Sequence, residues 1–315
     1  MENTALIQTT GAPIEAARIS GPELWLSHLA AEVAAGQIAD ATSATYRRGF
    51  AKFATWAKGA NLERTPQAAI KQWLADLRAA GHSQNAISVW FAGVRAFFAW
   101  ALSEGHIPAD PTAAIKRGKR AGTARAHKRE MLTDDEMIRV LTLPLSPRDR
   151  ALVHLLAYTG ARGVELHRAD IDDLKTDGQE MVLHVQGKGR TEKDERVVIA
   201  HQDAKDAVRD LLAERGERIG PLFASESNRS EGERLSPRAL RMIVRNILDR
   251  AGITSPNKTT HSFRHSAITA AIRGGATLQD AQAMARHANV ATTQVYFHNL
   301  SRLENAAEKK ISYGR

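Results

Sequence analysis

Four short segments in the second half of the chain combine cationic side chains, histidines and a tyrosine beside turn or helix signals. They place Arg162 in TGARGVEL, Lys188 in a Gly-Lys-Gly turn, His261 and Arg264 in HSFRH, and His287 and Tyr296 in RHANVATTQVYFH. A phosphodiester under attack gains negative charge, which paired guanidinium forks stabilise. A lysine can protonate the departing oxygen, and a tyrosine hydroxyl can act as the nucleophile. These residue types therefore suit the transfer of a phosphoryl group.

Each segment taken alone has a simpler explanation. An arginine near a helix end is usually a surface residue, a Gly-Lys-Gly turn is usually only a turn, and Tyr296 fits a half-buried packing position. His261 and His265 are four residues apart, a spacing that can chelate a metal ion. However, no glutamate lies between them and no third ligand is evident, so we expect no metal site and no cofactor.

The elements that must position these segments are mostly helical. Thr133 and Glu136 form a capping-box pattern, and Ser146-Pro147 begins a helix that Gly160 closes. Residues 181–186 alternate like a strand, and residues 196–200 supply a hairpin partner across the Gly-Lys-Gly turn. Further helical patterns cover residues 202–215, 237–251, 261–273, 278–286, 292–297 and 300–312. We therefore predict a mostly α domain with a small antiparallel sheet over residues 131–315.

Residues 22–106 are predicted to form a helical bundle, which follows about twenty loosely structured residues. A short helix is expected near residues 22–34, and three longer helices carry apolar stripes at helical spacing. Thr65-Pro66 is predicted to begin the second long helix, with Pro66 in its first turn, and Ser83 to cap the third. The stripes, which we interpret as core, are Tyr46, Phe50, Phe53 and Trp56; Ile70, Trp73, Leu74 and Leu77; and Ile87, Phe91, Val94, Phe98 and Leu102.

A basic segment separates the two predicted domains, within residues 107–130. From Lys116 to Arg129 there are seven basic residues and no acidic one, interrupted by glycines and other small residues. Such a segment is either a solvated linker or a cationic segment that lies along a nucleic-acid backbone, and both interpretations stay open. In the second interpretation, Arg117, Lys119 and Arg120 are the candidate DNA contacts.

The composition limits the classes of function. The 44 Lys and Arg against 35 Asp and Glu give a net charge of +9 and a sequence pI near 9.9, which favours a polyanionic partner such as nucleic acid. With no cysteine, the chain has no disulfide, no thiolate metal site and no cysteine nucleophile. The start resembles no signal peptide, and the apolar stretch 87–102 is interrupted by Arg95 and looks too short to cross a bilayer. We therefore predict a cytoplasmic protein.

The order Arg, Lys, His-x-x-Arg, His, Tyr over residues 162–296 resembles the tyrosine recombinase (phage integrase) family. TGARGVEL and HSFRHSAIT resemble its two arginine boxes, and RHANVATTQVYFH resembles its nucleophile box. TSATYRRGFAKFATWA and SQNAISVWFAGVRAFFAWALSEG are similar to the first and last helices of its SAM-like core-binding domain. The resemblance therefore covers nearly all of residues 22–315.

The resemblance implies one catalytic set: Arg162, Lys188, His261, Arg264, His287 and Tyr296. His261 and His287 would orient the phosphate or help to deprotonate Tyr296, whose phenolate the surrounding cations favour. Two residues depart from the family pattern, because Arg286 stands where glycine is common and Ala161 is smaller than the usual aliphatic residue. The loop GKGRTEKDERVV is also longer than usual, which makes Lys193 a rival to Lys188.

The implied activity is site-specific recombination, in which DNA is cut and rejoined through a 3′-phosphotyrosyl bond without metal or ATP. The implied partners are double-stranded DNA carrying a specific site and three further copies of the chain, forming a tetramer on two duplexes. A DNA-binding regulator without strand transfer and a type IB topoisomerase-like enzyme are the alternatives on the same scaffold. The sequence gives neither the target site nor the outcome among integration, excision and dimer resolution.

Overall fold

A computed structural model describes residues 21–116, 130–187, 192–216 and 219–299 of the 315-residue chain. The predictions for Lys188, for Arg117, Lys119 and Arg120, and for a helix over 300–312 lie outside these residues. The chain divides into two compact units, Met1–Arg125 and Ala126–Arg315. Within the described residues both are dominated by helices, and the second contains a three-stranded antiparallel sheet, which confirms the predicted fold class.

The described part of the N-terminal unit, residues 21–116, is a bundle of four helices around an aromatic core. The helices are α1 (Gly21–Ala34), α2 (Asp40–Ala57), α3 (Gln67–Ala79) and α4 (Gln84–Ser103). Trp25, Phe50 and Phe97 pack on one another with ring centroids 4.6–5.7 Å apart. Such ring clusters stabilise a small bundle beyond their burial alone, so the predicted aromatic stripes are core rather than a binding surface.

Two glycines allow α2 and α4 to pack closely. A Cβ on Gly49 would collide with the main chain of Trp90, and a Cβ on Gly93 would collide with the main chain of Tyr46. Because the obstacles are backbone atoms, a side chain at either position would push the helices apart. The crossing therefore depends on glycine at both positions.

Two details of the predicted bundle are wrong. Pro66 is the residue before α3 rather than in its first turn, and its extended backbone (ψ 154°) places the first helical residue at Gln67. Leu102 is 42% exposed, because Trp100 and Ala101 occupy the buried positions in the last turns of α4.

The sequence also predicts that the apolar stretch 87–102 is too short to span a bilayer. At 20 residues, α4 is the one described helix long and apolar enough to do so, although its buried face packs in the bundle core.

The C-terminal unit builds its core from helices on a small sheet. Its helices are α5 (Asp134–Leu141), α6 (Pro147–Thr159), α7 (Gly163–Arg168), α8 (Gln202–Arg215), α9 (Pro237–Arg250), α10 (Thr260–Arg273), α11 (Leu278–Ala285) and α12 (Val290–Asn299). The capping box of Thr133 and Glu136 and the start of α6 at Ser146-Pro147 are as predicted. Helix α6 is buried on nearly all sides and contacts both α8 and α10, so it is the central helix of the unit.

The sheet has the order β1-β2-β3, from β1 (Leu174–Asp177), β2 (Glu180–Val185) and β3 (Glu195–Ile199). The pairing of β2 with β3 is as predicted, with Leu183 opposite Val197. Strand β1 was missed, because only its first residue is even half-buried and it therefore lacks apolar alternation. Its signal was Asp177-Gly178, a dipeptide typical of tight hairpin turns, and Gly178 has the positive φ of 62° that such turns need.

Candidate active site

The junction of α6 and α7 positions Arg162. Gly160 ends α6 in the left-handed region (φ 61°), and Arg162 then precedes the first residue of α7. The Glu165 carboxylate accepts a hydrogen bond from the Arg162 main-chain nitrogen at 2.8 Å and pairs with the Arg162 guanidinium at 2.5 Å. The Glu165 carboxylate therefore holds both the main chain and the side chain of Arg162.

Arg264 lies on α10 and is buried, with 4% of its surface exposed. Its guanidinium donates to the carbonyl oxygen of Gly160 at 2.7 Å and to that of Ala285. Burial, followed by the positive charges of Arg162 and Arg286, lowers the pKa of Arg264 to about 10. The group therefore stays cationic at neutral pH, and its hydrogen bonds join α10 to the ends of α6 and α11.

The carbonyl of Ala285 is shared by both arginines of the predicted set. Arg162 donates to it at 3.3 Å and to the next carbonyl, that of Arg286, at 3.0 Å. Two like-charged guanidiniums repel each other, and the partial negative charge on these oxygens offsets that repulsion. The end of α11 thus holds Arg162 and Arg264 side by side.

Arg286 adds a third cation to this cluster. Its side chain is 7% exposed and pairs with the buried carboxylate of Glu165 at 2.7 Å, and its Nε lies 3.8 Å from Glu195 on β3. Burial raises the pKa of Glu165, but the charge of Arg286 and hydrogen bonds from Arg162 outweigh it, so the pKa lies below its ordinary value. Arg286 has a φ of 51°, which explains in physical terms why glycine suits this position.

Tyr296 lies on α12 with only 6% of its surface exposed, against Ile268, Ile272, Ala281 and Ala285. Its hydroxyl oxygen is 2.6 Å from Nδ1 of His265 on α10. The ring of His287 stacks on the ring of Tyr296 with centroids 6.2 Å apart, and its Nδ1 lies 2.9 Å from the hydroxyl of Thr293. The phenol oxygen is therefore held in place beside a ring nitrogen.

Burial, followed by the charges of Arg264, Arg162 and Arg286, lowers the pKa of His287 to about 4. His287 is therefore neutral at pH 7 and accepts a proton only in acid. Of the six predicted residues, the structure thus brings four together, namely Arg162, Arg264, His287 and Tyr296.

His261 is exposed at the start of α10, one turn before His265. Nδ1 of His265 contacts the Tyr296 hydroxyl. Within the described ranges, no three His, Cys, Asp or Glu side chains are grouped in a way that could hold a metal ion.

Lys193, the rival lysine, is engaged elsewhere. Its Nζ lies 2.8 Å from Asp170 and 2.5 Å from Asp173. Burial lowers the pKa of Lys193, but the hydrogen bonds to both carboxylates outweigh it and leave the pKa above its ordinary value. Lys193 therefore holds its proton more tightly than an ordinary lysine does.

Three residues of the site were not predicted from the sequence as site residues: His265, Thr293 and Arg286. Arg286 was noted only because it stands where glycine is common in the family. From the sequence, His265 was a candidate metal ligand only, although its spacing of four residues from His261 predicts a common helix face. Thr293 lies three residues before Tyr296, so the helical period could have indicated a common face. The contact of Arg286 with Glu165 spans 121 residues, and no local pattern indicates it.

The comparisons agree with the geometry. Residues 130–302 match the phage integrase family, and residues 23–105 match the phage integrase N-terminal SAM-like domain. The chain is 33% identical over 255 residues to tyrosine recombinase XerC of Mycobacterium bovis, covering 76% of this chain and 81% of that protein. It is 32% identical over 294 residues to tyrosine recombinase XerD of Bifidobacterium longum, covering 88% and 91%.

Solved structures share the fold. XerH site-specific recombinase bound to a palindromic difH substrate, in a post-cleavage complex, superposes with a TM-score of 0.67 at 20% identity, covering 84% of this chain and 79% of that one. A lambda integrase dimer bound to a COC′ core site gives a TM-score of 0.67 at 20% identity, covering 89% and 96%. With a buried tyrosine beside paired arginines in this fold, the chain belongs to the phage integrase family of tyrosine recombinases, enzymes that cleave and rejoin DNA.

Proposed function

We propose that the chain recombines DNA at a specific site by forming a 3′-phosphotyrosyl bond through Tyr296. The observation that carries this proposal is the burial of the Tyr296 phenol beside two guanidiniums anchored on one carbonyl, that of Ala285. In the reaction the tyrosine oxygen attacks phosphorus, the bond to the 5′ oxygen breaks, and the broken strand stays attached to the protein. Because the energy of the broken bond is retained, rejoining requires no ATP.

Arg162 and Arg264 are proposed to bind the non-bridging oxygens of the scissile phosphate. Each guanidinium carries five N–H donors, so the contacts with Glu165 and with the carbonyls of Gly160, Ala285 and Arg286 leave at least two on each for a ligand. Donors that are already fixed before the substrate arrives stabilise the charge that develops in the transition state. His261 and His287 are proposed to orient the phosphate, His287 as a neutral hydrogen-bonding group.

Lys188 is proposed as the acid that protonates the departing 5′ oxygen. The support comes from the rival lysine, Lys193, which is paired with Asp170 and Asp173. Burial lowers the pKa of Lys193, but the hydrogen bonds to these two carboxylates outweigh burial and leave the pKa raised. A general acid must release its proton during the reaction, and a raised pKa opposes that release. Lys188→Ala should therefore impair cleavage far more than Lys193→Ala.

The domains are proposed as a core-binding domain over residues 22–106, a linker over 107–130 and a catalytic domain over 131–315. The matched ranges 23–105 and 130–302 and the two compact units support this division. Arg117, Lys119 and Arg120 are proposed to contact DNA phosphates, which is consistent with the net charge of +9.

The proposed partners are double-stranded DNA with a recombination site and further copies of the chain, forming a tetramer on two duplexes. Among structures of the same fold is a lambda integrase tetramer bound to a Holliday junction, with a TM-score of 0.66 at 19% identity. We also propose that the protein acts in the cytoplasm, in contact with its DNA substrate.

Two assays test the proposed function. A nicked suicide substrate carrying the site should trap the protein in a covalent adduct on a denaturing gel, whereas a regulator without strand transfer would bind and form none. A supercoiled plasmid that lacks the site should stay supercoiled. Rapid relaxation of that plasmid would instead support the topoisomerase-like alternative.

A further inference from the structure

A histidine outside the predicted catalytic set contacts the oxygen that is proposed to react. Nδ1 of His265 lies 2.6 Å from the Tyr296 hydroxyl oxygen, which is within the range of a strong hydrogen bond. The two ring centroids are 5.3 Å apart with 34° between the planes, so the imidazole presents its edge nitrogen to the phenol. The contact joins α10 to α12 across 31 residues of sequence.

The phenol needs a proton acceptor within the protein. Tyr296 is 6% exposed, and its surroundings include Ile268, Ile272 and Ala281, so bulk water has little access to the ring. A tyrosine that attacks phosphorus must lose its hydroxyl proton as the new O–P bond forms. The acceptor should therefore be a group already in contact with the hydroxyl.

His287 is poorly suited to that task. Its ring stacks on the face of Tyr296, with 20° between the planes, and its Nδ1 is 2.9 Å from the Thr293 hydroxyl. Burial and the three nearby arginines also lower the pKa of His287 to about 4, so an imidazolium is strongly disfavoured there. His261, the other predicted histidine, is exposed at the start of α10.

We propose that His265 is a further catalytic residue, the general base that takes the Tyr296 proton through Nδ1 during cleavage. The proposal rests on the proposed role of Tyr296 as nucleophile. In the resting enzyme the imidazole carries its hydrogen on Nε2, and Nδ1 accepts from the hydroxyl. As the Tyr296 O–P bond forms and the P–O5′ bond breaks, the proton moves to Nδ1, and the departing 5′ oxygen receives a different proton from the lysine.

The reverse step follows from the same geometry. During rejoining, a 5′-hydroxyl attacks phosphorus and returns its proton to the lysine, while the bond between phosphorus and the Tyr296 oxygen breaks. The His265 imidazolium, still beside that oxygen, returns the proton through Nδ1 and becomes neutral again. One histidine therefore serves as base in cleavage and as acid in rejoining, and no proton has to cross the apolar wall around the ring.

The test compares His265→Asn with His265→Ala on a nicked suicide substrate. The Asn amide oxygen can still accept the Tyr296 hydrogen bond near the Nδ1 position but cannot take the proton. We expect both variants to form the covalent adduct at least about 100-fold more slowly than wild type, as is typical on loss of a general base. Added imidazole should restore part of the rate in His265→Ala. Wild-type rates in His265→Asn would overturn the proposal, because they would show that the histidine only positions the phenol.

A second substrate separates the base from the acid. Sulfur in place of the 5′-bridging oxygen leaves without protonation, so it should rescue Lys188→Ala but should not rescue His265→Asn. Rescue of His265→Asn by sulfur would overturn the proposal by placing the histidine on the leaving-group side. His201→Asn, the same change at the start of α8, serves as the control with wild-type rates.

Failure of this proposal can be distinguished from failure of the proposed function. Tyr296→Phe should abolish the adduct on both substrates. If the adduct persists in Tyr296→Phe, the nucleophile is wrong and both proposals fall. If Tyr296→Phe is inactive and His265→Asn is fully active, only the role of His265 is wrong.

Discussion

Arg162 and Arg264 donate hydrogen bonds to the same main-chain oxygen, the carbonyl of Ala285 at the end of α11. The shared acceptor places two cations side by side before any substrate is present. It also links the position of both guanidiniums to the segment that leads into α12 and Tyr296. A shift of this short segment would therefore disturb both arginines and the nucleophile together.

Arg264→Lys should lower the rate of covalent adduct formation by about 100- to 1,000-fold, the usual loss for a preorganised donor in the transition state. Lysine keeps the charge but cannot donate at once to Gly160, to Ala285 and to a phosphate oxygen. Single-turnover cleavage measures the effect. The control is Arg273→Lys, an exposed arginine at the end of the same helix, which should cleave like wild type. Equal rates for Arg264→Lys and wild type would contradict the assigned role.

Arg286→Gly should destabilise the protein by about 2 kcal/mol or more, even though glycine relieves the positive φ of 51°. The loss of the guanidinium leaves the buried Glu165 carboxylate with fewer partners, and an incompletely paired buried charge is costly. Urea unfolding followed by circular dichroism measures the change.

Lys58→Gly is the matched control for Arg286→Gly, because Lys58 has a φ of 49° and an exposed side chain. Its stability should change by less than about 1 kcal/mol. Adding Glu165→Gln to Arg286→Gly should cost less than the sum of the two single changes, since the residues are in contact. Additive costs would show that the ion pair contributes no coupling.

Stability should fall as the pH drops from about 6.5 towards 4, in part because of His287. Its pKa is lowered from 6.5 to about 4 by burial and the neighbouring arginines, so below pH 6.5 the unfolded chain binds a proton that the folded chain does not. The contribution is complete above pH 6.5 and is lost on acidification. Urea unfolding at pH 7.5 and 5 should show a smaller loss in His287→Asn than in wild type. An equal loss in both proteins would count against the lowered pKa.

Gly93→Ala should destabilise the N-terminal unit by about 1–3 kcal/mol, the usual cost of overpacking. The added methyl group would meet the main chain of Tyr46, which cannot move without shifting α2. All five tryptophans lie at positions 25–100, so tryptophan fluorescence during urea unfolding reports on this unit. Ser88→Ala, at an exposed site on the same helix, should leave the midpoint unchanged. A wild-type midpoint for Gly93→Ala would show that the crossing tolerates a side chain.

The sequence predicted local structure well wherever the signal was itself local. The capping box of Thr133 and Glu136, the stop at Gly160 and the aromatic stripes of the bundle each depend on residues within a turn or two of one another. Strand β1 was not predicted, because its side chains are mostly exposed and do not alternate between buried apolar and exposed polar residues. The same limit applies to the contact between Tyr296 and His265, since it depends on how α12 packs on α10 rather than on any spacing in the sequence.

The mass of the peptide that carries the DNA shows directly whether Tyr296 is the nucleophile. After capture on a suicide substrate and nuclease digestion, trypsin should release residues 287–302 with a nucleotide attached, because cleavage sites follow Arg286 and Arg302 and none lies between them. The added mass should lie on Tyr296 and should be absent in Tyr296→Phe. A nucleotide on Tyr46, Tyr158 or Tyr313, or an adduct that survives in Tyr296→Phe, would contradict it.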